Sequence, residues 1–118
     1  MKTRITFAAL AAFLMASPAF AQPAAAPTTG PAAGRAIAFN RSLGNCLACH
    51  TMKGGDVPSN VGPMLNDMKL RFPDRKVLFQ ILWDEEKRNP QTVMPAFGKN
   101  LILDRRQIEA IIDFLYTL

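Results

Sequence analysis

The sequence predicts a small all-α domain, and three observations lead to this fold class. Apolar residues recur at helical spacing in three separate segments. No segment alternates apolar and polar residues convincingly enough to indicate a strand. Glycine and proline are concentrated between the periodic segments, where they mark loops.

The first helix is predicted over residues 33–43, where Ala36, Phe39 and Leu43 share one face and Gly44 suits the end. Residues 51–65 are rich in glycine and proline and are predicted to form a loop. A short helical stretch over residues 65–72 is compatible with the sequence that follows.

A second strong helix is predicted over residues 75–88, with Asp74 as its N-cap and Asn89-Pro90 after its end. Residues 91–103 are predicted to be irregular. The last helix is predicted over residues 105–116, and Asp104 and Gln107 have the spacing of a capping box. Its apolar face comprises Ile108, Ile111, Ile112 and Leu115. We expect the first and last helices to pack together.

The first 21 residues have the pattern of a secretory signal peptide. Lys2 and Arg4 precede an apolar run, and Ala19-Phe20-Ala21 is a small-x-small cleavage site. A membrane anchor is the alternative, but the run is shorter than the ~20 residues of a spanning helix and Pro18 follows it. We therefore predict export to the periplasm, removal of residues 1–21 and no stable membrane anchor.

Residues 22–34 are rich in Ala, Pro, Thr and Gly, and we predict a flexible leader there. The folded domain is then residues 35–118, which is small enough to need a staple for its core. Removing Lys2 and Arg4 from 14 basic residues leaves 12 against 9 acidic ones, a net charge of +3. These charges are interspersed, which disfavours nucleic-acid binding but allows electrostatic docking to an acidic partner.

The segment Cys46-Leu47-Ala48-Cys49-His50 is a complete C-x-x-C-H, the pattern of covalent c-type haem attachment. On a helical turn the two cysteines and His50 share one face, so the thiols can join the macrocycle while the imidazole binds its iron. A disulfide would close a tiny strained loop, a thioredoxin-like pair would need a βαβ context, and zinc would need about four ligands. One covalent haem c therefore supplies the staple, and the expected architecture is a small class I cytochrome c fold.

His50 is the only histidine, so a second axial ligand must come from another residue type. The methionine candidates after the motif are Met52, Met64, Met68 and Met94. We favour Met94, because it lies far along the chain and Pro95 keeps it in extended backbone. The alternative for any methionine is core packing. His50 and Met94 are the predicted metal ligands.

A metal-bound histidine normally donates its other ring N–H to a fixed acceptor, and the carbonyl of Pro63 is the expected one. Trp83 is expected in the core, with contact to the haem edge as its alternative. The chain has no second histidine for base catalysis and no nucleophile elbow, so no catalytic residue is predicted. Electron transfer, without bond chemistry of its own, is the predicted role.

Several segments together resemble the SoxX family of monohaem cytochromes over residues 35–118. They are Gly44–His50, Asn60–Pro63, Arg71–Asp74, Asn89-Pro90, Thr92–Gly98 and Ile112–Leu118. The resemblance implies a periplasmic SoxAX complex with a SoxA-type cytochrome, which couples thiosulfate oxidatively to the carrier SoxYZ and passes electrons to a soluble cytochrome c. It also implies His50 and Met94 as axial ligands. Met64 and Ala96 depart from the family, where proline is expected.

Two other functions remain open at this point. A free-standing electron carrier would show weak, salt-sensitive contacts with its partners. A haem sensor would release Met94 and bind a gas such as carbon monoxide.

Overall fold

The computed structural model describes residues 28–118. The predicted signal peptide and residues 22–27 of the predicted leader lie outside this range. Over residues 28–118 the secondary structure is helical, and the sole β interaction there is an isolated parallel bridge between Met52 and Leu65. The all-α prediction is therefore confirmed.

The described part of the chain contains four α-helices and two short 3₁₀ turns. The helices are α1 (Gly30–Phe39), α2 (Met68–Arg71), α3 (Arg75–Asp84) and α4 (Arg105–Leu115). The 3₁₀ turns are Cys46–Ala48 and Glu85–Lys87. No helix among residues 28–118 combines the length and apolar character needed to cross a membrane.

Helix α4 forms as predicted because it has both a capping box at its N-terminus and a continuous apolar face. The Asp104 side chain accepts from the Gln107 N–H at 2.8 Å, and the Gln107 side chain accepts from the Asp104 N–H at 2.9 Å. This reciprocal pair satisfies two backbone donors that the first turn would otherwise leave free. The predicted apolar face is fully buried.

Helix α1 packs against α4, as expected, and the contact is closest at Gly34. A Cβ built on Gly34 would overlap the carbonyl of Ala110 and come within 2.9 Å of the Ile111 nitrogen. Only glycine lets the two backbones approach this closely. Farther along, the rings of Phe39 and Phe114 meet edge to face with centroids 5.7 Å apart.

The observed α1 is displaced towards the N-terminus relative to the prediction. It begins at Gly30, with a proline in its first turn, and thus includes the last residues of the predicted leader. It ends at Phe39, where the predicted helix continued to residue 43, because Asn40 takes an extended conformation and its carbonyl accepts from Leu43 and Asn45.

Helix α3 begins as predicted, since the Asp74 side chain accepts from the Lys76 N–H at 2.8 Å. It ends at Asp84, where the backbone leaves helical geometry (φ −161°, ψ 84°), and a 3₁₀ turn follows. Arg75 ties α3 to α4 through Glu109 and Asp113, with N–O distances of 2.7 Å to each carboxylate. The core lies between α1, α3 and α4 and extends to the cysteine turn.

Candidate functional site

The C-x-x-C-H segment forms a single turn that is separated from the end of α1 by residues 40–45. Asn45 enters it with φ 48°, in the left-handed region, and Cys46–Ala48 then forms the 3₁₀ turn. The N–H groups of Cys49 and His50 both donate to the Cys46 carbonyl, at 3.2 and 2.9 Å. The two cysteines and the histidine therefore share one hydrogen-bonded turn of backbone.

Both thiols are free and half-buried. Burial, with a smaller contribution from nearby Cys49, raises the pKa of Cys46 to about 11. Cys46 is therefore a neutral thiol at neutral pH. Its side chain packs against the hydrophobic core, so a group attached there would lie at the core's edge.

The ring of His50 has a fixed partner on one side. Its Nδ1 lies 2.7 Å from the carbonyl oxygen of Pro63. Because a carbonyl can only accept, Nδ1 carries the proton and Nε2 keeps its lone pair for a metal. The expected contact with Pro63 is confirmed. Gly62 lies against the same ring, since a Cβ there would come within 2.7 Å of Nδ1.

The loop that brings Pro63 to His50 is closed by two backbone hydrogen bonds. The Gly62 N–H donates to the Cys49 carbonyl at 2.7 Å, and the Leu65 N–H donates to the Thr51 carbonyl at 2.9 Å. These bonds flank the histidine on both sides in the sequence. The acceptor of the imidazole proton is thus attached to the turn that carries the imidazole.

Side chains close the same loop a second time. The Thr51 hydroxyl donates to the Ser59 carbonyl and accepts from the Ser59 N–H, both at 2.8 Å. The Ser59 hydroxyl donates to the carbonyl of Ala48 at 3.1 Å. Sequence reasoning missed this pair, because nothing in the spacing of Thr51 and Ser59 distinguishes them from ordinary loop residues.

The four methionines after the motif occupy different environments. Met52 and Met68 are buried in the core, at 4% and 2% exposure, whereas Met64 is 55% exposed. Met94 is half-buried and packs against the core from an irregular segment. Cys46, on the cysteine turn, packs against the same core. The Met94 N–H donates to the Thr92 hydroxyl at 3.1 Å.

The segment after Met94 is anchored to α3. Ala96, Phe97 and Gly98 are buried, and the Lys99 N–H donates to the carbonyl of Trp83 at 3.1 Å. The Trp83 ring covers Gly98 so closely that a Cβ at 98 would come within 2.8 Å of Cζ3. Trp83 also packs against the core, as favoured from the sequence.

Basic residues near these segments are paired. Lys99 contacts Glu86 at 2.8 Å and the buried Asp84 at 3.4 Å. The other carboxylate oxygen of Asp84, Oδ1, is buried without a hydrogen-bond partner. Arg71 donates to the carbonyls of Met64 and Asn66, which ties α2 to the end of the loop that carries Pro63.

These observations fit a covalent haem. Two free thiols lie on one turn, and the neighbouring imidazole has its Nδ1 proton committed to Pro63. Nitrogen and thioether donors are the axial ligands found in electron-transfer haem proteins. Cys46, Cys49 and His50 would hold the group, while Met94 is brought to the edge of the same core.

Comparisons with known proteins agree with this site. The family model described as Cytochrome c matches residues 31–118. The crystal structure of SoxXA from P. pantotrophus superimposes with a TM-score of 0.66 at 27% sequence identity. The match covers 75% of this chain and 81% of that chain. No curated protein sequence matches the chain. The comparisons support the SoxX-type resemblance found in the sequence.

Proposed function

The chain belongs to the cytochrome c family, and on that premise we propose that it is the SoxX-type electron-transfer subunit of a periplasmic SoxAX complex. Its partner would be a SoxA-type cytochrome. The complex would couple thiosulfate oxidatively to the carrier SoxYZ and pass the released electrons to a soluble cytochrome c. The single observation that carries the proposal is the structural likeness to SoxXA.

Within the proposed complex the chain holds the redox centre and does no sulfur chemistry of its own. When bound, haem supplies a reversible one-electron change at iron. Cys46 and Cys49 would form the thioether links, and the Nε2 of His50 would bind the iron. Pro63 fixes the tautomer of His50, since its carbonyl accepts the Nδ1 proton at 2.7 Å.

Met94 is the proposed second axial ligand. Two of the other methionines are buried as core residues and Met64 is exposed, whereas Met94 is half-buried beside the same core as Cys46. A thioether opposite a histidine raises the reduction potential. Its segment is anchored by the contact of Gly98 with Trp83, which limits how far Met94 can move.

Exposed apolar residues beside the site support a docking role. Val61 and Met64 flank the Gly62-Pro63 pair, and Val93 precedes Met94 with 77% of its surface exposed. Scattered apolar residues are normal on a surface. Here, however, they adjoin in sequence the residues through which an electron would enter or leave. We propose that the partner cytochrome covers them.

Affinity purification of the tagged protein from its native periplasm, with mass spectrometry of the co-eluting chains, tests the partner. A second cytochrome at equal stoichiometry is expected, and its copurification should survive moderate salt. Elution of the chain alone with one covalent haem would support a free-standing carrier instead. Rapid carbon monoxide binding by the reduced protein would support the sensor.

Two matched variants sharpen this test. Val93→Asp places a charge beside Met94 and should abolish copurification while the haem spectrum stays unchanged. Leu70→Asp is the control, because Leu70 is also exposed, at 81%, but belongs to α2. Equal loss with both variants would contradict docking at Val93.

Export is tested on the same preparation. Fractionation should place the protein in the periplasm, and the intact mass should correspond to a chain that begins at Gln22 and carries one haem. A chain that retains residues 1–21 would contradict removal of the signal peptide.

A further inference from the structure

The loop that carries the acceptor for His50 is closed by side-chain hydroxyl groups as well as by two backbone hydrogen bonds. Pro63, which accepts the Nδ1 proton of His50, is reached only after an irregular loop that is rich in glycine and proline. Such a loop has many open conformations in the free chain, and closing it costs entropy. The distance between Nδ1 and the Pro63 oxygen therefore depends on whatever keeps the loop closed.

Thr51 and Ser59 meet this requirement with three hydrogen bonds. The Thr51 hydroxyl donates to the Ser59 carbonyl and accepts from the Ser59 N–H, both at 2.8 Å. The Ser59 hydroxyl in turn donates to the carbonyl of Ala48, a residue of the cysteine turn, at 3.1 Å. Both residues are half-buried, so water competes less for these groups than on an open surface.

The position of this pair relates it directly to the imidazole. Thr51 follows His50 in the chain, and Ser59 comes shortly before Gly62 and Pro63. The hydroxyl bonds thus join the residue next to the histidine with the segment that carries its acceptor. Releasing them would leave Pro63 held by the backbone bonds of Gly62 to Cys49 and of Leu65 to Thr51, and would let its carbonyl shift relative to Nδ1.

We infer that Thr51 and Ser59 are positioning residues for the axial histidine and act on its basicity through the Pro63 carbonyl. The inference rests on the proposed ligation by His50. A shorter bond from Nδ1 gives the imidazole more anionic character and favours the oxidised centre. The pair therefore contributes to a lower reduction potential, in addition to any contribution to stability.

Thr51→Val tests the inference, because it removes the hydroxyl and keeps the branched shape. In redox titration of the purified holoprotein, the oxidised–reduced equilibrium should shift about two- to tenfold towards the reduced form, tenfold being ~59 mV for one electron. The ferric low-spin electron paramagnetic resonance signal should also shift or broaden. Thr51→Ser retains the hydroxyl, so its reduction potential and resonance signal should match those of the wild type.

Thr117→Val is the matched control. Its hydroxyl donates to the Phe114 carbonyl at 2.7 Å, beyond the end of α4, so the same chemical change is made away from the histidine. This control should leave the potential and the resonance signal at their wild-type values. Thr51→Val behaving like Thr117→Val would overturn the inference.

Ser59→Ala provides a milder second variant should Thr51→Val yield no holoprotein. It removes only the bond to Ala48 and should shift the potential in the same direction by a smaller amount. An unchanged potential in Ser59→Ala would then overturn the inference. Wild-type protein purified without covalent haem would instead refute the proposed function, so the two failures are distinguishable.

Discussion

Gly62 lies against the imidazole of His50, and no side chain of any size fits between them. A Cβ at position 62 would come within 2.7 Å of Nδ1 and 3.0 Å of Nε2. The same glycine donates its N–H to the Cys49 carbonyl at 2.7 Å, so it cannot withdraw without losing that bond. The ring is therefore confined between the backbone at Gly62 and the carbonyl of Pro63.

Gly62→Ala should displace the His50 ring and weaken its bond to Pro63. We expect a cost of about 1–3 kcal/mol in the free energy of unfolding, the usual range for overpacking, and an altered visible spectrum. Chemical denaturation and absorption spectroscopy of the holoprotein measure the two effects. Val61→Ala, at a neighbouring exposed position, should change neither. A wild-type spectrum in Gly62→Ala would contradict the close contact.

Gly34→Ala should separate α1 from α4, because the new methyl group would overlap the carbonyl of Ala110. The backbone at Ala110 cannot move aside as a flexible side chain does. We therefore expect the free energy of unfolding to fall by about 3 kcal/mol, the upper end of the range for overpacking. Urea denaturation followed by circular dichroism gives the value. Ala36→Ser, exposed on the same helix, should stay within about 0.5 kcal/mol of wild type.

Arg75→Gln should remove the ionic link between α3 and α4. Partial burial acts to lower the pKa of Arg75, but Glu109 and Asp113 raise it overall, as expected for a cation between two carboxylates. These groups are partly exposed, so the expected cost is only about 0.5–1 kcal/mol and should shrink in 1 M salt. Thermal denaturation at two salt concentrations measures it. Lys76→Gln, which removes an exposed charge from the same helix, serves as the control.

Met94→Ala should keep the covalent haem and lose the thioether ligand. The holoprotein is then expected to lose its low-spin methionine signature and to have a lower reduction potential, because the thioether favours the reduced centre. Absorption, magnetic resonance and redox titration follow the change. Met64→Ala is the matched control and should leave the spectrum intact. Unchanged spectra in Met94→Ala would remove Met94 as a ligand.

Cys46→Ser combined with Cys49→Ser should abolish covalent attachment. Serine hydroxyls do not form the thioether links, so haem should be extracted by acid–acetone and the polypeptide should lose the added mass. Staining for covalent haem after denaturing electrophoresis, with intact mass spectrometry, provides the measurement. A polypeptide of normal holoprotein mass from this variant would refute the attachment site.

The sequence was most informative where local signals agree. Asp104, Gln107 and the apolar face of α4 all lie within one helix, and that helix starts where predicted. The contact between His50 and Pro63 was also predictable, since a metal-binding imidazole needs an acceptor and the Gly-Pro segment offered one. In both cases residues close together in the sequence are enough to determine the local structure.

The differences between the predicted and the observed structure arise from contacts between segments that are distant in the sequence. Gly34 belongs to a stretch whose composition indicates a leader, and only its burial against Ala110 shows why a small residue is needed there. The helix α3 stops at Asp84, which the apolar pattern does not signal, and Lys99 of a distant loop contacts that residue. The link between Thr51 and Ser59 likewise has no sequence signal, because hydroxyl-bearing residues are common in any loop.

The pairing of α1 with α4 sets an order for folding events during synthesis of the chain. The chain is made from its N-terminus, so α4, which covers Gly34, emerges after the other helices of residues 28–118. Until then the core against which Cys46 packs is incomplete. The two thiols are thus most accessible before α4 docks, while the core beside Cys46 is still open.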